Sequence, residues 1–187
     1  MALVRQNIVM QGLSGTLGEQ LVIKVAKGGR TIVSVKPTFD ENRAFSAAQQ
    51  EQQQAFREAV AYAKEQKDNQ IYIAKAEGTS KNAYNLAMAD WFHAPEILEI
   101  NLDGWSGEAG QVLRIRVQDD VQVQHVEVMI MDEADTLLEQ GSAVDVGALW
   151  WEYTTTGTAS GNPKVVVAAL DIPEHMTEKT EQKALGG

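Results

Sequence analysis

Residues 112–131 read VLRIRVQDDVQVQHVEVMIM, and this stretch decides the class of fold. Before the central Asp119-Asp120 pair, Leu113 and Ile115 alternate with arginines, and after it valines alternate with polar residues. A period of two with one apolar face is typical of an antiparallel strand that water reaches on one side. The stretch therefore predicts two neighbouring strands joined by an acidic turn.

Short segments of the same kind recur from Glu96 onward, separated by turn-rich pieces. They are 97–102, 112–117, 121–131, 136–139, 149–155 and 164–170. Six or seven short strands over roughly 80 residues are typical of an antiparallel sandwich. We expect Val126, Val128 and Ile130 to face the core of that sandwich.

The first part of the chain opens with a predicted β-hairpin. Residues 20–36 place two runs rich in β-branched residues around Lys27, Gly28 and Gly29. A Gly-Gly centre readily takes the positive φ angles that a tight turn needs.

Three helices are predicted after the hairpin, because the apolar period then changes from two to about 3.6. Ser46 and Gln49 make a capping box for the first of them. The first helix is expected over about 46–66. A turn or short helix is expected over about 69–76, and a further helix from a cap at Thr79 or Ser80 to a stop at Pro95. Five large side chains at helical spacing are expected in one apolar cluster: Phe56, Val60, Tyr84, Met88 and Trp91.

These patterns together predict an α+β chain of two modules. Residues 1–95 are expected to hold the β-hairpin and a small helical layer. Residues 96–180 are expected to form the antiparallel β-sandwich, and residues 181–187 a flexible tail. A length of 187 residues suits one domain or two small ones, because domains usually run about 100–150 residues.

Composition excludes several classes of function. A formal charge of -10 would repel nucleic acid, whose binding depends on clustered Lys and Arg. No stretch reaches the roughly 18 apolar residues of a membrane span, and without cysteine the chain has no disulfide and no thiolate nucleophile. Polar residues interrupt the apolar residues at positions 1–15, so we expect no classical signal peptide. An extracellular or particle-associated location would therefore require another export route.

The polar side chains do not form a catalytic or metal-binding motif in the sequence. His93, His125 and His175 lie in three different predicted elements, and none has the spacing of a zinc motif. The acidic pair Asp119-Asp120 and the acidic segment 132–135 could hold calcium or form solvated turn tips, and the second alternative is favoured. We therefore expect no enzyme, no cofactor and no resident metal.

Aromatic residues of the second module are the candidates for contact with a ligand or a partner. Neighbours on a strand point to opposite faces, so one of Trp150 and Trp151 is expected outside the core. Tyr153 could belong to the same patch, and Trp105 could belong to it or cover the junction between the two modules. An exposed aromatic ring can stack on a sugar or anchor a protein contact.

Two parts of the chain resemble known bacterial proteins. The segment VLRIRVQDDVQVQHVEVMI with LEQGSAV, LWWEYTTT and VVVAALDIPEH resembles the bacterial immunoglobulin-like domains, which pair a D-D-x-x-V segment with a late A-x-D-x-x-G-N ending. Here Asp119, Asp120 and Val123 match the first motif. Ala169 and Asp171 match the second, whose final Gly-Asn is replaced.

The N-terminal part, from GLSGTLGEQ through AYNLAMADWF, resembles uncharacterised bacterial proteins that join a Gly-rich hairpin to short helices. The likeness implies a role in assembly or at surfaces and brings no catalytic residue.

The sequence thus predicts a structural or assembly protein, a homo-oligomer or part of a larger protein assembly such as a surface filament or a phage-like particle. Its N-terminal β segment would pair with another chain. The residues expected at that contact are Ile8, Met10, Leu13, Leu17, Val22 and Val33. The alternative is a carbohydrate-binding module that uses its tryptophans.

Overall fold

The computed structural model describes residues 2–4, 13–18, 20–26, 30–37 and 44–185. The chain divides into two compact units, Met1–Gln49 and Gln50–Gly187. It contains three helices and antiparallel sheets within the described residues, so the predicted α+β class is confirmed. The second unit contains most of the helical residues together with the sandwich, whereas the predicted boundary lies after residue 95. Independent folding of the part beyond residue 95 stays a prediction.

The first unit contains a four-stranded antiparallel sheet with the order β1-β4-β3-β2. Its strands are β1 (Ala2–Val4), β2 (Gly15–Leu17), β3 (Leu21–Ala26) and β4 (Arg30–Val35). β3 and β4 pair from Leu21 opposite Val35 to Ala26 opposite Arg30, as expected of the hairpin. The predicted Gly-Gly turn between them lies outside the described residues.

The helices are α1 (Ala47–Gln66), α2 (Gln70–Ala76) and α3 (Ala83–Asp90). The predicted capping box opens α1: the Gln49 amide donates to Ser46 Oγ over 3.3 Å, and the Ser46 amide donates to Gln49 Oε1 over 3.0 Å. The predicted cap of α3 is wrong. Asn82 accepts the Asn85 amide there, whereas the Thr79 hydroxyl donates to the Ala76 carbonyl and so closes α2.

Two four-stranded antiparallel sheets follow. Their strands are β5 (Glu96–Asn101), β6 (Val112–Gln118), β7 (Val123–Met131), β8 (Leu137–Ser142), β9 (Val144–Gly147), β10 (Trp150–Thr154), β11 (Lys164–Asp171) and β12 (Met176–Gln182). One sheet has the order β5-β6-β10-β9 and the other β12-β11-β7-β8. β9 and β12 were not predicted from the sequence.

The sheets share one apolar core, so the arrangement is sandwich-like. Leu113, Ile115 and Val117 enter it from β6, while Val126 and Val128 enter from β7 of the other sheet. The arginines between the buried residues of β6 are exposed. The predicted alternation along residues 112–131 is therefore confirmed.

Residues 181–185 are part of this sandwich and not a flexible tail. Glu181 and Gln182 continue β12 beside β11. The amide of Lys183 donates to Pro163, that of Leu185 donates to Gly161, and the Leu185 side chain packs against the core.

A second apolar cluster joins the helices to the sandwich. It is formed by the buried residues Ala63, Tyr72, Leu86, Ala87 and Val121, with Tyr84 and Met88 packed against them. The prediction that Phe56 belongs to this cluster is wrong, because half of that side chain is exposed. Val60 and Trp91 are not among the residues of the cluster either, and the Trp91 ring packs against Tyr62 and His175. None of the described helices is long and apolar enough to cross a membrane.

Candidate functional site

One face of the N-terminal sheet is apolar, and we call it the apolar sheet face. The strand registers bring Leu17, Leu21, Ile23, Val25, Thr31, Val33 and Val35 to this face. Ile23 and Thr31 at its centre are buried. Leu17, Val25 and Val35 are exposed by 61%, 47% and 75%, so much of the face is accessible to water.

The residues predicted for assembly fall partly on this face. Leu17 and Val33 lie on it, whereas Val22 pairs with Ser34 on the opposite face. Leu13 precedes β2 and is about half exposed. Ile8 and Met10 lie outside the described residues.

The aromatic residues predicted for ligand contact are mostly in the core. Trp105, Trp151 and Tyr153 are buried there, so they cannot form an exposed stacking surface, and the predicted patch is corrected to Trp150 alone. Trp150 is the partner of the pair that faces away from the core, as strand alternation requires. The Arg114 guanidinium lies 5.0 Å from its ring centre and that of Arg116 lies 6.0 Å away, a cation–π arrangement that already occupies the ring.

A chain of hydrogen-bonded side chains links the three helices. The hydroxyls of Tyr62 in α1 and Tyr72 in α2 lie 2.7 Å apart. The Tyr72 hydroxyl donates to Oδ2 of Asp90 in α3 over 2.5 Å. Asp90 is fully buried, and its second oxygen, Oδ1, has no hydrogen-bond partner among the described residues. Sequence reasoning missed this carboxyl as a functional candidate.

Burial raises the pKa of Asp90 to about 6, although the hydrogen bond from Tyr72 acts in the opposite direction. The charges of Asp119, Asp171 and Asp120 raise it further. Burial also raises the pKa values of Tyr62 and Tyr72. The network is thus a place where removal of a proton is unfavourable.

Asp171 is a second fully buried carboxyl on the sandwich side of this network. Its Oδ1 accepts the His175 amide over 2.6 Å, and its Oδ2 lies 3.1 Å from His175 Nδ1. Burial raises its pKa, while the hydrogen bond from the His175 backbone lowers it. Asp119 accepts the amides of Val121 and Gln122 through Oδ2, which forms the acidic turn between β6 and β7.

Each of the three histidines has a different partner. His93 follows α3 and places Nδ1 2.6 Å from Asp120 Oδ2, while His125 on β7 lies 3.4 Å from the Ser142 hydroxyl. The His175 ring packs edge-on against Trp91. Within residues 2–4, 13–18, 20–26, 30–37 and 44–185, no group of three or more acidic or histidine side chains is arranged to hold a metal ion.

The signal that could have identified Asp90 is its position in the helical pattern. It lies three and four residues after Ala87 and Leu86, both buried, and so on the same side of α3. A carboxyl on the apolar side of a helix is rare unless it has a partner.

Comparison with known proteins gives structural likenesses of low similarity and no family. No protein-family model matches the chain, and no curated protein does. CopC from Methylosinus trichosporium OB3b is 16% identical, with 48% of this chain and 90% of that chain covered and a TM-score of 0.37. A conjugative transposon lipoprotein from Bacteroides eggerthii DSM 20697 is 8% identical, with coverages of 47% and 92% and a TM-score of 0.26. At these TM-scores the likeness carries no argument about function.

Proposed function

We propose that this protein is a non-enzymatic assembly protein whose N-terminal sheet packs against the same sheet of a second copy. The observation that carries the proposal is the apolar sheet face, on which Leu17, Val25 and Val35 remain exposed. A small sheet is stable only when one of its faces is covered. A second copy offers a cover of the same size and the same apolar character.

The edges of this sheet favour pairing as well. β1 and β2 are its outer strands, and each has only three residues. Among the described residues, β1 pairs only with Thr31, Ile32 and Val33 of β4, and β2 pairs only with Leu21, Val22 and Ile23 of β3. A strand from another chain satisfies such an edge by β-augmentation.

Charge predicts how the assembly responds to salt. Each copy carries a formal charge of -10, so two copies repel each other at low ionic strength. Salt screens that repulsion and leaves apolar burial in place. Association through the apolar sheet face should therefore strengthen with added salt, whereas an interface held by ion pairs would weaken.

The test compares two neighbouring substitutions on β2. Leu17→Lys puts a charge on the apolar sheet face, and Thr16→Lys puts the same charge on the opposite face of the same exposed strand. By sedimentation velocity at increasing concentration, we expect oligomers for the unchanged protein and for Thr16→Lys, and a monomer for Leu17→Lys. A strict monomer in the unchanged protein would overturn the proposal.

The second unit would then be the part displayed on the assembly. We propose that its two sheets form an immunoglobulin-like sandwich, a view supported by two four-stranded antiparallel sheets around one core.

The carbohydrate-binding alternative now depends on Trp150. A sugar would have to displace the Arg114 side chain from its ring. Titration of the tryptophan fluorescence with oligosaccharides tests this alternative, and the change should vanish in Trp150→Phe if binding occurs there.

A further inference from the structure

Asp90 lies where the helices meet the sandwich. The cluster around it combines Leu86 and Ala87 of α3 with Val121, which follows the acidic turn of the sandwich. The Lys75 ammonium donates to the Val121 carbonyl over 3.3 Å, a second link between the same parts. Asp90 therefore lies beside the contact between the helices and the sandwich.

The groups around the Asp90 carboxyl are mostly anionic or neutral. From the helices come the Tyr72 hydroxyl, which donates to Oδ2, and Tyr62 behind it. From the sandwich come the carboxyls of Asp119 and Asp120 in the β6–β7 turn and of Asp171 at the end of β11. The imidazoles of His93 and His175 lie against Asp120 and Asp171, not against Asp90.

An ionised Asp90 is costly in this position. One oxygen is stabilised by Tyr72, but Oδ1 is buried without a partner among the described residues, and the neighbouring carboxylates repel its charge. A buried charge without full hydrogen bonding is strongly unfavourable. A proton on the carboxyl removes the charge, and with it the repulsion by the neighbouring carboxylates.

We infer that the contact between the helices and the sandwich is controlled by a proton on Asp90: mild acidification strengthens the contact, and neutral pH weakens it. This proton-dependent contact is separate from the proposed assembly and involves no residue of the N-terminal sheet.

The direction follows from the two states of the chain. The pKa of Asp90 is about 6 in the folded protein against an ordinary value of 3.8, so the folded state binds the proton more tightly. Stability from this group therefore rises as the pH falls through about 6, and it is fully present only below the ordinary value of 3.8. A shift of about two pKa units corresponds to about a hundredfold change in the folding equilibrium constant. The raised pKa of Asp171 acts in the same direction.

The experiment uses the full chain at a concentration at which it is monomeric. Urea unfolding is measured between pH 4 and 7.5 for the unchanged protein and for Asp90→Asn, whose neutral amide resembles the protonated carboxyl. We expect the equilibrium constants of the two proteins to converge near pH 4 and to differ by up to about a hundredfold at pH 7, with Asp90→Asn the more stable. Groups that do not interact with Asp90, such as Asp132, whose backbone hydrogen bonds lower its pKa, cancel in the difference.

Two further measurements keep the inference testable if Asp90→Asn does not fold. The ¹³C resonance of the Asp90 carboxyl in the unchanged protein should have a titration midpoint at a pH well above the ordinary pKa of aspartate. That midpoint should rise further in Tyr72→Phe, because this variant lacks the hydroxyl that stabilises the carboxylate. Amide exchange in α3, corrected for its intrinsic pH dependence, should be slower at pH 5 than at pH 7. Parallel stability profiles for the two proteins, or titration of Asp90 near pH 4, would overturn the inference.

Discussion

The backbones of Gly107 and Ala159 lie in direct contact, with the Ala159 amide donating to the Gly107 carbonyl over 2.8 Å. Gly107 has a φ of +90°, and a Cβ built on it would lie 2.2 Å from the Ala159 carbonyl oxygen. Only glycine fits here, because a side chain would meet backbone that cannot move aside. The contact holds the loop after Trp105 against the loop that precedes β11.

We expect Gly107→Ala to lower the free energy of unfolding by about 3 kcal/mol or more, from overpacking together with backbone strain. Gly110 is the matched control, since it has a φ of +83° and no atom within 4 Å of its Cβ position. Gly110→Ala should cost only the strain, about 1–2 kcal/mol. If urea unfolding showed the same loss of unfolding free energy for both variants, the close approach of Gly107 to Ala159 would not limit the side chain at this position.

Glu139 on β8 fixes the loop that follows β10. Its Oε2 accepts three hydrogen bonds of 2.7 Å, from the Thr156 amide, the Thr156 hydroxyl and the Gly157 amide. Glu139→Ala should reduce the free energy of unfolding by about 1–3 kcal/mol, because charge-assisted bonds are lost and their donors lose a partner. Glu178→Ala, at an exposed position of β12, serves as the control and should change it by less than about 0.5 kcal/mol.

Residues 96–185 should fold without the preceding part of the chain. Their core includes Leu113, Val128 and Val167 from both sheets, and it does not depend on a helix. Loss of the helices exposes Val121, so the fragment should be less stable than the full chain. A cooperative melt with β-type circular dichroism is expected, and a fragment that showed neither would place the folding unit at Gln50–Gly187.

Deletion of residues 1–18 should abolish the oligomer and leave the second unit folded. The deletion removes β1 and β2, the two outer strands of the N-terminal sheet. Light scattering reports the mass, and circular dichroism reports the sandwich. Persistence of the oligomer after the deletion would move the contact to another surface.

β6 and β7 could be predicted from the sequence because each has one apolar face, whereas β12 could not. β6 and β7 alternate buried and exposed residues, which is the pattern that a period of two detects. β12 reads MTEKTEQ, and none of its residues is fully buried. It is held by its backbone pairing with β11, and hydrophobic periodicity carries no information about such a strand.

The aromatic residues show a similar limit. Alternation correctly predicted that the side chains of Trp150 and Trp151 lie on opposite faces of the strand, but it did not determine which of the two is buried. Trp105 lies in a loop, where no periodicity applies, and its burial comes from contacts with the core of the sandwich. The proximity of Asp171 to the acidic turn likewise depends on the pairing of distant strands, which the local sequence does not specify.

Lys179 and Lys183 bring the end of the chain back to the start of the sandwich. Lys179 donates to the Ile97 carbonyl, 82 residues earlier, and Lys183 donates to the Leu102 carbonyl, 81 residues earlier. Contacts over such separations require closure of long loops, and proteins dominated by them fold in milliseconds to seconds. Docking of the β11–β12 hairpin onto the segment 97–102 should therefore be a slow step of folding compared with formation of the hairpin itself.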